Sequence, residues 1–426
     1  MEVKPGYKQT EVGVIPEEWD ALRVCEFGSV ITGGTPRTEI QGNWNGSYPW
    51  VTPTDITDQR DMWASERMIS ESGLRSIRQL PADSVLVTCI ASIGKNAILR
   101  SVGGCNQQIN AVVPLREQSP EFLYYSFESS KQYLLANAGM TATRILSKAA
   151  FEQLRFPIPP LPEQRAIAAA LSDVDALLGG LDRLIAKKRD LKQAAMQQLL
   201  TGQTRLPGFS VTRSFVSDEL GTRPQDWDVV PLNDLVDPSR GIRYGIVQPG
   251  ACDPNGRFMI RGQDYSEAKG WADPSDVFRV SDAIEQRYRS ARVQHGDLIM
   301  TIVGYCGHVE VVPAWLDGAN LTQTTARIAI ESDKASQQFC KYMLQSAVGR
   351  SQVASFLKGA AQPGLNCGDV EKFRLPLPTM REQTAIATVL SDMDAELAAL
   401  EARRDKTRDL KQAMMQELLT GKTRLL

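Results

Sequence analysis

The 426-residue sequence has few metal-binding side chains and no long apolar segment. It contains two histidines, and its seven cysteines are scattered without a CxxC pair. This pattern is typical of reduced thiols in a cytosol and argues against a disulfide framework or a zinc site. No apolar run reaches the roughly 18 to 20 residues that span a bilayer, and no apolar signal core follows the first residues. We therefore expect a cytoplasmic protein without a metal site and without a membrane contact.

A basic excess is also lacking. Residues 1–160 carry 15 basic and 17 acidic side chains, residues 210–380 carry 18 and 20, and the whole chain has a formal net charge of -2. Proteins that hold DNA alone through many phosphate contacts usually carry a surplus of lysine and arginine. If this chain binds DNA, its cations must be clustered locally, or a partner must hold much of the phosphate backbone.

Catalytic motifs are missing as well. Gly421-Lys422-Thr423 resembles the end of a P-loop, but Gln416 stands where the first glycine is required, so a helix end is the better interpretation. The sequence has no Asn-Pro-Pro-aromatic motif of an adenine methyltransferase, no HExxH and no nucleophile elbow. We expect no catalytic residue in this chain.

An internal repeat dominates what is present. Residues 163–206 and 382–425 align without a gap at an offset of 219 and share 28 identities in 44 positions. A repeat of this kind decides the architecture and must be interpreted first.

Both copies are predicted to be long helices that form a coiled coil. Their apolar residues step by three and four, as in a heptad seam, and Gly202 and Gly421 stand where a helix closes in a left-handed residue. About 38 helical residues would extend about 57 Å, too long for one small domain to cover. We expect the copies to pack antiparallel. The residues assigned to this coiled coil or to partner binding are Glu163, Gln164, Leu171, Leu178, Leu181, Glu382, Gln383, Leu390, Leu397 and Leu400.

The alternative for these helices is that each packs only on its own globular domain. The two copies also share exposed-type residues such as the RDLKQA segment, which begins at Arg189 and Arg408. Different globular neighbours would not require this identity, so it favours a partner that meets both copies. The basic residues 187–189 are interpreted as a solvated or partner-facing helix side and not as a DNA-binding patch.

The two globular halves have diverged, but their landmarks recur in the same order. Each half has a G-x-x-P-x-x-W opening, a strand after a turn, a glycine turn, another strand and a helical segment. These landmarks are at Gly13 and Gly221, residues 81–88 and 294–301, Gly94 and Gly304, residues 107–114 and 323–330, and residues 120–135 and 334–356. Short β-branched runs bounded by Gly, Pro or Asp are typical of strands. Each half is therefore predicted to be α+β.

In these features the whole chain resembles the specificity (S) subunits of type I restriction–modification systems. The resemblance rests on the two openings at Gly13 and Gly221, on the Pro-rich approach and EQ at residues 157–164 and 376–383, and on the helices ending LLTGQTRL and LLTGKTRL. It implies an α+β fold with two target recognition domains in pseudo-two-fold tandem, separated by two long antiparallel helices. The implied boundaries are 1–160 for recognition domain 1, 161–206 for spacer helix 1, 207–378 for recognition domain 2 and 379–426 for spacer helix 2.

The resemblance also implies function and partners. Each recognition domain would read one half of a split sequence in double-stranded DNA. The helices would set the spacer and dock two methyltransferase (M) subunits, and restriction (R) subunits would join them. No cofactor is expected in this chain, because S-adenosylmethionine and ATP would bind to the partners.

Polar loops between the strands supply the candidate DNA contacts. Arginine can pair with guanine and glutamine with adenine in the major groove. The candidates are Thr35, Arg37, Lys95 and Gln107 in the first half, and Arg240, Arg243, Tyr244, Tyr305, His308 and Gln323 in the second, where 240–244 is taken as the counterpart of loop 33–37. Each residue taken alone could instead be a turn residue or a solvated charge.

Two other functions remain possible at this point. A two-headed coiled-coil scaffold that never touches DNA would have the same repeat, and an enzyme that modifies DNA alone would need catalytic motifs that the sequence does not contain. Protection of DNA by the assembled complex would separate the first alternative from a specificity subunit, and methyl transfer by the isolated chain would favour the second.

Overall fold

The computed structural model describes residues 4–139, 143–209, 214–266, 270–359 and 363–425. The chain divides into two compact units. Unit 1 comprises Met1–Asp182 and Ala402–Leu426, and unit 2 comprises Arg183–Glu401. Each unit therefore contains one globular half, the beginning of the helix that follows it and the end of the other long helix.

The helices and strands alternate along each half. The helices are α1 (Val24–Phe27), α2 (Glu71–Arg75), α3 (Pro120–Ser129), α4 (Lys131–Ala136), α5 (Lys148–Gln153), α6 (Leu161–Leu200), α7 (Leu232–Leu235), α8 (Asp282–Glu285), α9 (Gln337–Gln345), α10 (Ala347–Phe356), α11 (Cys367–Val370) and α12 (Met380–Leu418). The strands of unit 1 are β1 (Tyr7–Thr10), β2 (Gly13–Pro16), β3 (Asp20–Arg23), β4 (Gly28–Thr32), β5 (Trp44–Val51), β6 (Asp61–Met62), β7 (Met68–Ile69), β8 (Ser84–Thr88), β9 (Asn96–Leu99), β10 (Gly104–Cys105), β11 (Ile109–Pro114) and β12 (Arg155–Ile158). Those of unit 2 are β13 (Phe215–Asp218), β14 (Gly221–Pro224), β15 (Asp228–Pro231), β16 (Arg243–Tyr244), β17 (Arg257–Ile260), β18 (Tyr265–Ser266), β19 (Gly270–Trp271), β20 (Arg279–Val280), β21 (Leu298–Thr301), β22 (Val309–Val311), β23 (Asn320–Leu321), β24 (Thr325–Ile328) and β25 (Arg374–Leu377).

The two units contain corresponding sheets, although the larger one has five strands in unit 1 and four in unit 2 among the described residues. Unit 1 has a five-stranded sheet in the order β4-β11-β8-β9-β6 and a three-stranded sheet in the order β10-β5-β7. Unit 2 has the counterparts β16-β24-β21-β22 and β20-β17-β23, each with one parallel pair in the smaller sheet. The strand and helix landmarks predicted from the sequence are confirmed in both halves, and the α+β fold class with them.

The two long helices pack antiparallel in both units. In unit 1, Lys411 Nζ lies 2.6 Å from Asp175 Oδ1, and Arg404 faces Asp182. In unit 2, Lys192 pairs with Asp394. The beginning of each helix thus meets the end of the other, as expected for two helices that each follow their own globular half. No helix among the described residues is long and apolar enough to cross a membrane.

Each globular core includes turns from both long helices. In unit 1, Ile167 and Leu171 of α6 and Leu418 of α12 are buried in the same cluster as Trp19. In unit 2, Ile386 and Leu390 of α12 and Leu199 of α6 are buried in the same cluster as Trp227. Burial of apolar surface against two helix ends therefore fixes each helix pair to its recognition domain.

The sequence motifs meet at one junction in each unit. In unit 1, the Trp19 indole Nε1–H donates to Glu163 at 2.9 Å, and Arg424 donates to the same carboxylate at 2.6 and 2.9 Å. In unit 2, Arg205 donates twice to Glu382 and also bonds Asp226. The G-x-x-P-x-x-W opening, the EQ pair and the TRL segment are thus parts of one internal contact.

The helix ends close as predicted. Gly202 and Gly421 have φ of 66° and 71°, the left-handed region that favours glycine. A Cβ on Gly421 would lie 2.5 Å from Pro16 Cδ, and one on Gly202 would lie 2.4 Å from Pro224 Cγ. At both positions glycine is required for two reasons: the backbone is in the left-handed region, and a Cβ would collide with the proline of the opening motif.

Internal contacts explain much of the identity between the helix copies. Gln164 Oε1 accepts from the Ser119 backbone N–H at 2.9 Å, and Gln383 Oε1 accepts from that of Ser336 at 3.0 Å. Each helix copy also has an aspartate that accepts from a tyrosine hydroxyl of its domain; the pairs are Tyr125–Asp175 and Tyr342–Asp394, both at 2.7 Å. Burial raises the pKa of both tyrosines, so their hydroxyls stay protonated donors. The inference that repetition requires an outside partner is therefore too strong for these residues.

Candidate nucleic-acid interface

In unit 1 the sheet brings the candidate residues to one edge. Thr32 at the end of β4 pairs with Asn110, and Thr88 at the end of β8 pairs with Ile109 at the start of β11. The β8–β9 hairpin turns at the same edge, since Val87 pairs with Asn96. Loop 33–37, hairpin 89–95 and residues 106–108 therefore lie side by side at what we call the unit 1 reading edge.

Hydrogen bonds tie these loops together. The Gly34 N–H donates to Cys105 O at 2.8 Å, and the Thr35 hydroxyl donates to Gln107 Oε1 at 2.7 Å. Arg37 and Lys95 are exposed, and no ion pair joins either to another described residue. The edge thus presents a hydroxyl, an amide and two cations on a backbone fixed by the sheet.

The same edge exists in unit 2. Tyr244 of β16 pairs with Ala326, and Thr301 at the end of β21 pairs with Thr325. The Gln323 N–H donates to Ile246 O at 3.0 Å. Four candidates therefore lie at this unit 2 reading edge: Tyr244, Tyr305, His308 and Gln323. Arg243 is exposed one residue further from the edge than Tyr244.

In each hairpin an equivalent threonine hydroxyl forms the same pair of hydrogen bonds across the turn, which we call the threonine staple. The buried Thr88 hydroxyl donates to Ser92 O and accepts from the Lys95 N–H at 3.0 Å. Thr301 donates to Tyr305 O at 2.5 Å and accepts from the His308 N–H at 2.9 Å. Because the N–H groups of Lys95 and His308 donate to these two threonines, the two residues occupy equivalent positions in the hairpins.

This staple corrects the sequence alignment of the hairpin turns. The N–H of Gly94 donates to Thr88 O, and that of Gly307 donates to Thr301 O. The counterpart of Gly94 is therefore Gly307 and not Gly304. Tyr305 occupies the position of Ser92, and its ring is 87% exposed at the hairpin tip.

Arg240 does not lie at the reading edge. Its guanidinium bonds Asp297, with one contact of 2.7 Å, and Asp297 stands before the first residue of β21, at the opposite end of the strand from Thr301. The prediction that 240–244 is the counterpart of loop 33–37 is wrong by several residues. A Cβ on Gly33 would overlap Cys105 O, and one on Gly245 would overlap Leu321 O.

The true counterpart of loop 33–37 in unit 2 is therefore the segment that begins at Gly245. Its exposed members include Val247 and Gln248, which the sequence did not single out. Aligning Gly245 with Gly33 would have found Gln248, but the stronger local resemblance of the arginine-containing loop concealed it.

A buried arginine supports the backbone behind the unit 2 edge. Arg327 donates to the carbonyls of Ser290 at 2.9 Å and Arg292 at 2.6 Å, and also to Arg240 O. Burial, and then the charge of Arg240, lower the pKa of Arg327 to about 10. This side chain ties the segment before β16 to the rest of the unit.

Two further cations at the unit 1 edge were missed. The exposed Arg78 donates to Thr32 O at 2.9 Å, and Arg144 O accepts from the Ala91 N–H at 3.2 Å. Ala91 has a φ of 61°, a conformation that costs a non-glycine residue free energy and concentrates at functional sites. Local clustering of Arg37, Lys95 and these two arginines gives a basic edge to a unit whose overall charge is slightly acidic.

The coiled-coil residues lie inside the units. Leu171, Leu181, Leu390 and Leu397 are buried, and Leu178 and Leu400 are half-buried. Glu163, Gln164, Glu382 and Gln383 are buried at the junctions described above.

One repeated stretch of the helices remains exposed. Leu191 is 47% exposed and its counterpart Leu410 is 55% exposed. The residues that continue this face are exposed in both copies; they are Asp190, Ala194 and Gln197 on α6 and Asp409, Ala413 and Gln416 on α12.

The described residues contain no cluster of three or more His, Cys, Asp or Glu arranged to hold a metal ion. Burial raises the pKa of the Cys89 thiol to about 11 and that of Cys340 to about 12. These thiols are packing residues without nucleophilic character near neutral pH.

Comparison with known proteins identifies a family and several relatives. Residues 16–186 and 224–407 match the family described as type I restriction modification DNA specificity domain. The Type I restriction enzyme MjaVIII specificity subunit of Methanocaldococcus jannaschii is 26% identical over 422 residues, which cover 96% of this chain and 94% of that protein. The Type I restriction enzyme EcoBI specificity subunit of Escherichia coli is 27% identical over 286 residues, 66% of this chain and 60% of that protein.

Solved structures show the same fold. The S subunit of a type I restriction–modification system from M. genitalium has a TM-score of 0.57 at 12% identity and covers 98% of both chains. A chain from a study of complex assembly and conformational transition of a type I R-M system has a TM-score of 0.58 at 17% identity and covers 96% of this chain and 99% of its own.

Proposed function

The chain belongs to the type I restriction modification DNA specificity family, and we propose that it selects the split DNA sequence on which a type I methyltransferase acts. It is a non-catalytic DNA-recognition subunit with two recognition domains. In our proposal the unit 1 reading edge contacts one half-site and the unit 2 reading edge contacts the other.

The observation that carries this proposal is the recurrence of one edge with different side chains. The threonine-stapled hairpin and the glycine-led loop occupy equivalent places in both units. Lys95 in unit 1 is replaced by His308 in unit 2, and Ser92 by Tyr305. A constant backbone with variable polar tips is what two domains require if each recognises a different set of base edges.

The charge distribution supports DNA binding in which this chain and its partner subunits both contact the phosphate backbone. Four cations of unit 1, Arg37, Arg78, Lys95 and Arg144, belong to its reading edge, whereas unit 2 presents mainly Arg243 and aromatic or amide side chains near its own. Phosphate contacts supply most sequence-independent affinity, and the two reading edges offer few cations for them among the described residues. We therefore assign much of the phosphate contact to partner subunits that close around the duplex.

The partners in this proposal are two methyltransferase (M) subunits and the restriction (R) subunits. S-adenosylmethionine and ATP would bind to those partners, and this chain would bind neither. Because the substrate is chromosomal double-stranded DNA, we assign the complex to the cytoplasm.

The exposed helix faces around Leu191 and Leu410 are the best candidate docking sites for the two M subunits. They have the same sequence in two units whose other surfaces differ. Large exposed leucines rimmed by polar side chains are typical of interaction surfaces, and two identical faces suit two copies of one partner.

Methylome sequencing tests the specificity role. A host that expresses the chain with its M partner should gain adenine methylation in a split motif with a fixed spacer, and a host with the M partner alone should not. Replacing residues 1–160 with the corresponding half of a relative should change one half of the motif only. An active M partner that produces no new motif would contradict the proposal.

Native mass spectrometry tests the docking faces. Leu191→Glu and Leu410→Glu should each remove one M subunit from the complex, and the double variant should remove both. Lys187→Ala, an exposed change on the same helix, should leave the stoichiometry intact. Retention of both M subunits by the double variant would exclude these faces.

The alternative of a scaffold that does not touch DNA is not supported by the family, which is described as a DNA specificity domain, or by the relatives, which are type I restriction enzyme specificity subunits.

A further inference from the structure

A polar pocket beside the unit 1 reading edge is not accounted for by the reading loops. Its cavity volume is about 440 Å³, and its lining residues are Trp44, Asn45, Gly46, Glu66, Arg67 and Met68. We propose that this pocket is a base-reading site, in which Arg67 contacts a base edge of the first DNA half-site. The inference rests on the proposed function and adds a specificity-determining residue to it.

Two tryptophans hold the Arg67 guanidinium in place. Its central carbon lies 3.8 Å from the Trp44 ring centroid and 5.2 Å from that of Trp50, and the two rings pack edge to face at 5.2 Å. Stacking on an aromatic face leaves the in-plane N–H donors of a guanidinium directed outward. Arg67 is exposed and has no ion pair with any described residue, so these donors are available to a ligand.

The pocket is joined to the reading edge by hydrogen bonds. The Trp50 indole N–H donates to Gly34 O at 2.8 Å, and Asn43 Nδ2 donates to Arg37 O at 3.2 Å. Both acceptors belong to loop 33–37, which carries Thr35 and Arg37. A duplex that contacts this loop would therefore lie beside Arg67.

One pocket residue has an uncommon backbone conformation, and one pocket indole N–H lacks a hydrogen-bond partner among the described residues. Asn45 has a φ of 58°, an uncommon conformation that asparagine tolerates better than most residues. The buried Trp44 indole N–H has no hydrogen-bond partner among the described residues. An unpaired buried donor is costly, and this one belongs to a residue that lines the cavity.

The charges of the pocket distinguish a base from a phosphate. Glu66 lines the same cavity as Arg67 and would repel a phosphate group. Base edges present both donors and acceptors, and arginine, asparagine and glutamate can pair with guanine, adenine and cytosine respectively. A pocket that combines Arg67, Asn45 and Glu66 therefore suits a base edge.

The test is a methylome map of Arg67→Ala in the full complex. The variant should relax one or two base positions in the half-site read by unit 1 and leave the other half unchanged. Discrimination at the relaxed base should fall about 5- to 150-fold, the effect of losing one bidentate pair. Arg67→Lys, which keeps the charge and loses the planar fork, should relax the same base.

The control is Arg75→Ala, an exposed arginine of unit 1 whose partner Glu71 lies on its own helix. It should leave the motif unchanged. Trp44→Phe keeps a stacking ring and should retain the motif at a reduced rate, with hydrogen exchange across residues 44–51 reporting that the strand is intact.

Three results would overturn the inference. An Arg67→Ala motif identical to the wild type would show that Arg67 reads nothing. A uniform loss of binding at all sequences, with a salt dependence reduced by about one charge, would show a phosphate contact. Loss of the whole first half-site would show a structural role. A wild-type complex that methylates no split motif would instead refute the proposed function itself.

Discussion

The two junctions differ in one hydrogen bond, and this difference predicts unequal costs for equivalent mutations. Glu382 is fully buried, and its carboxylate is bonded by Arg205, whose side chain is 7% exposed. Glu163 is also buried but accepts from both Arg424, 20% exposed, and the Trp19 indole. In unit 2 the corresponding indole N–H of Trp227 has no partner among the described residues.

Arg205→Met should therefore destabilise unit 2 more than Arg424→Met destabilises unit 1. Removing Arg205 leaves a buried carboxylate without its cation, which costs about 3–5 kcal/mol. Removing Arg424 leaves the Trp19 bond to Glu163 in place, so the cost should be nearer that of one charged hydrogen bond, about 1.5–3 kcal/mol. The expected difference of about 2 kcal/mol corresponds to about a 30-fold difference in the opening equilibrium.

Native-state hydrogen exchange with peptide resolution measures both units in one sample. Strand β21 reports on unit 2 and strand β8 on unit 1. A double variant, Arg205→Met with Glu382→Met, should recover most of the lost protection, because it buries two apolar groups in place of an unpaired charge. Equal costs for the two single variants, or a double variant no better than Arg205→Met, would refute this reasoning.

Three further outcomes follow from single contacts. The Arg292 hydrogen bond lowers the pKa of Glu285 below its ordinary value of 4.5. The ionised Glu285 therefore stabilises unit 2 above about pH 4.5, and this stabilisation is lost as the pH falls through the lower pKa of the folded state. Urea titrations at several pH values should show that the stability of Glu285→Gln depends less on acid, and an unchanged dependence would contradict this. Gly421→Ala should lower the free energy of unfolding by about 1–2 kcal/mol or more, because the residue has a left-handed φ and a close proline. Gly180→Ala, where a Cβ would meet nothing within 4 Å, should raise the free energy of unfolding by about 1 kcal/mol. The same change in stability from Gly421→Ala and Gly180→Ala would refute the role assigned to the Gly421 backbone conformation. Tyr305→Ala should leave the melting temperature unchanged, since the ring is exposed, but lower methylation about fivefold or more at sites read by unit 2; an unchanged rate would remove this residue from the reading edge.

The repeat in the sequence determined the architecture. The heptad steps of the two copies predicted two long packed helices, the position of each copy after its own globular half predicted that they run antiparallel, and Gly202 and Gly421 predicted where they end. These features depend on periodicity and on backbone conformation, which are local properties of the chain. The recognition domains were also predictable as α+β, because their buried strands such as Ser84–Thr88 are short and β-branched.

Several functional features were not accessible from local sequence. The assignment of Arg240 to a reading loop failed because the arginine-containing segment resembles loop 33–37, whereas strand pairing places Gly245 opposite Gly33. Arg67 gave no signal, because its neighbours Trp44 and Trp50 are distant along the chain. Gln248 was missed because of this misalignment, and Arg144 because its contact with Ala91 joins segments that are distant along the chain.

Sequence by itself thus determined the repeated elements and the family, since both are encoded in residue spacing and motif order. Only the tertiary structure decided which polar side chains share an edge, because hydrogen-bond register between strands is a long-range property. It also decided that the EQ and TRL motifs serve internal junctions. Glu163 and Arg424 are separated by 261 residues, and only folding places their opposite charges within hydrogen-bond distance in a buried site.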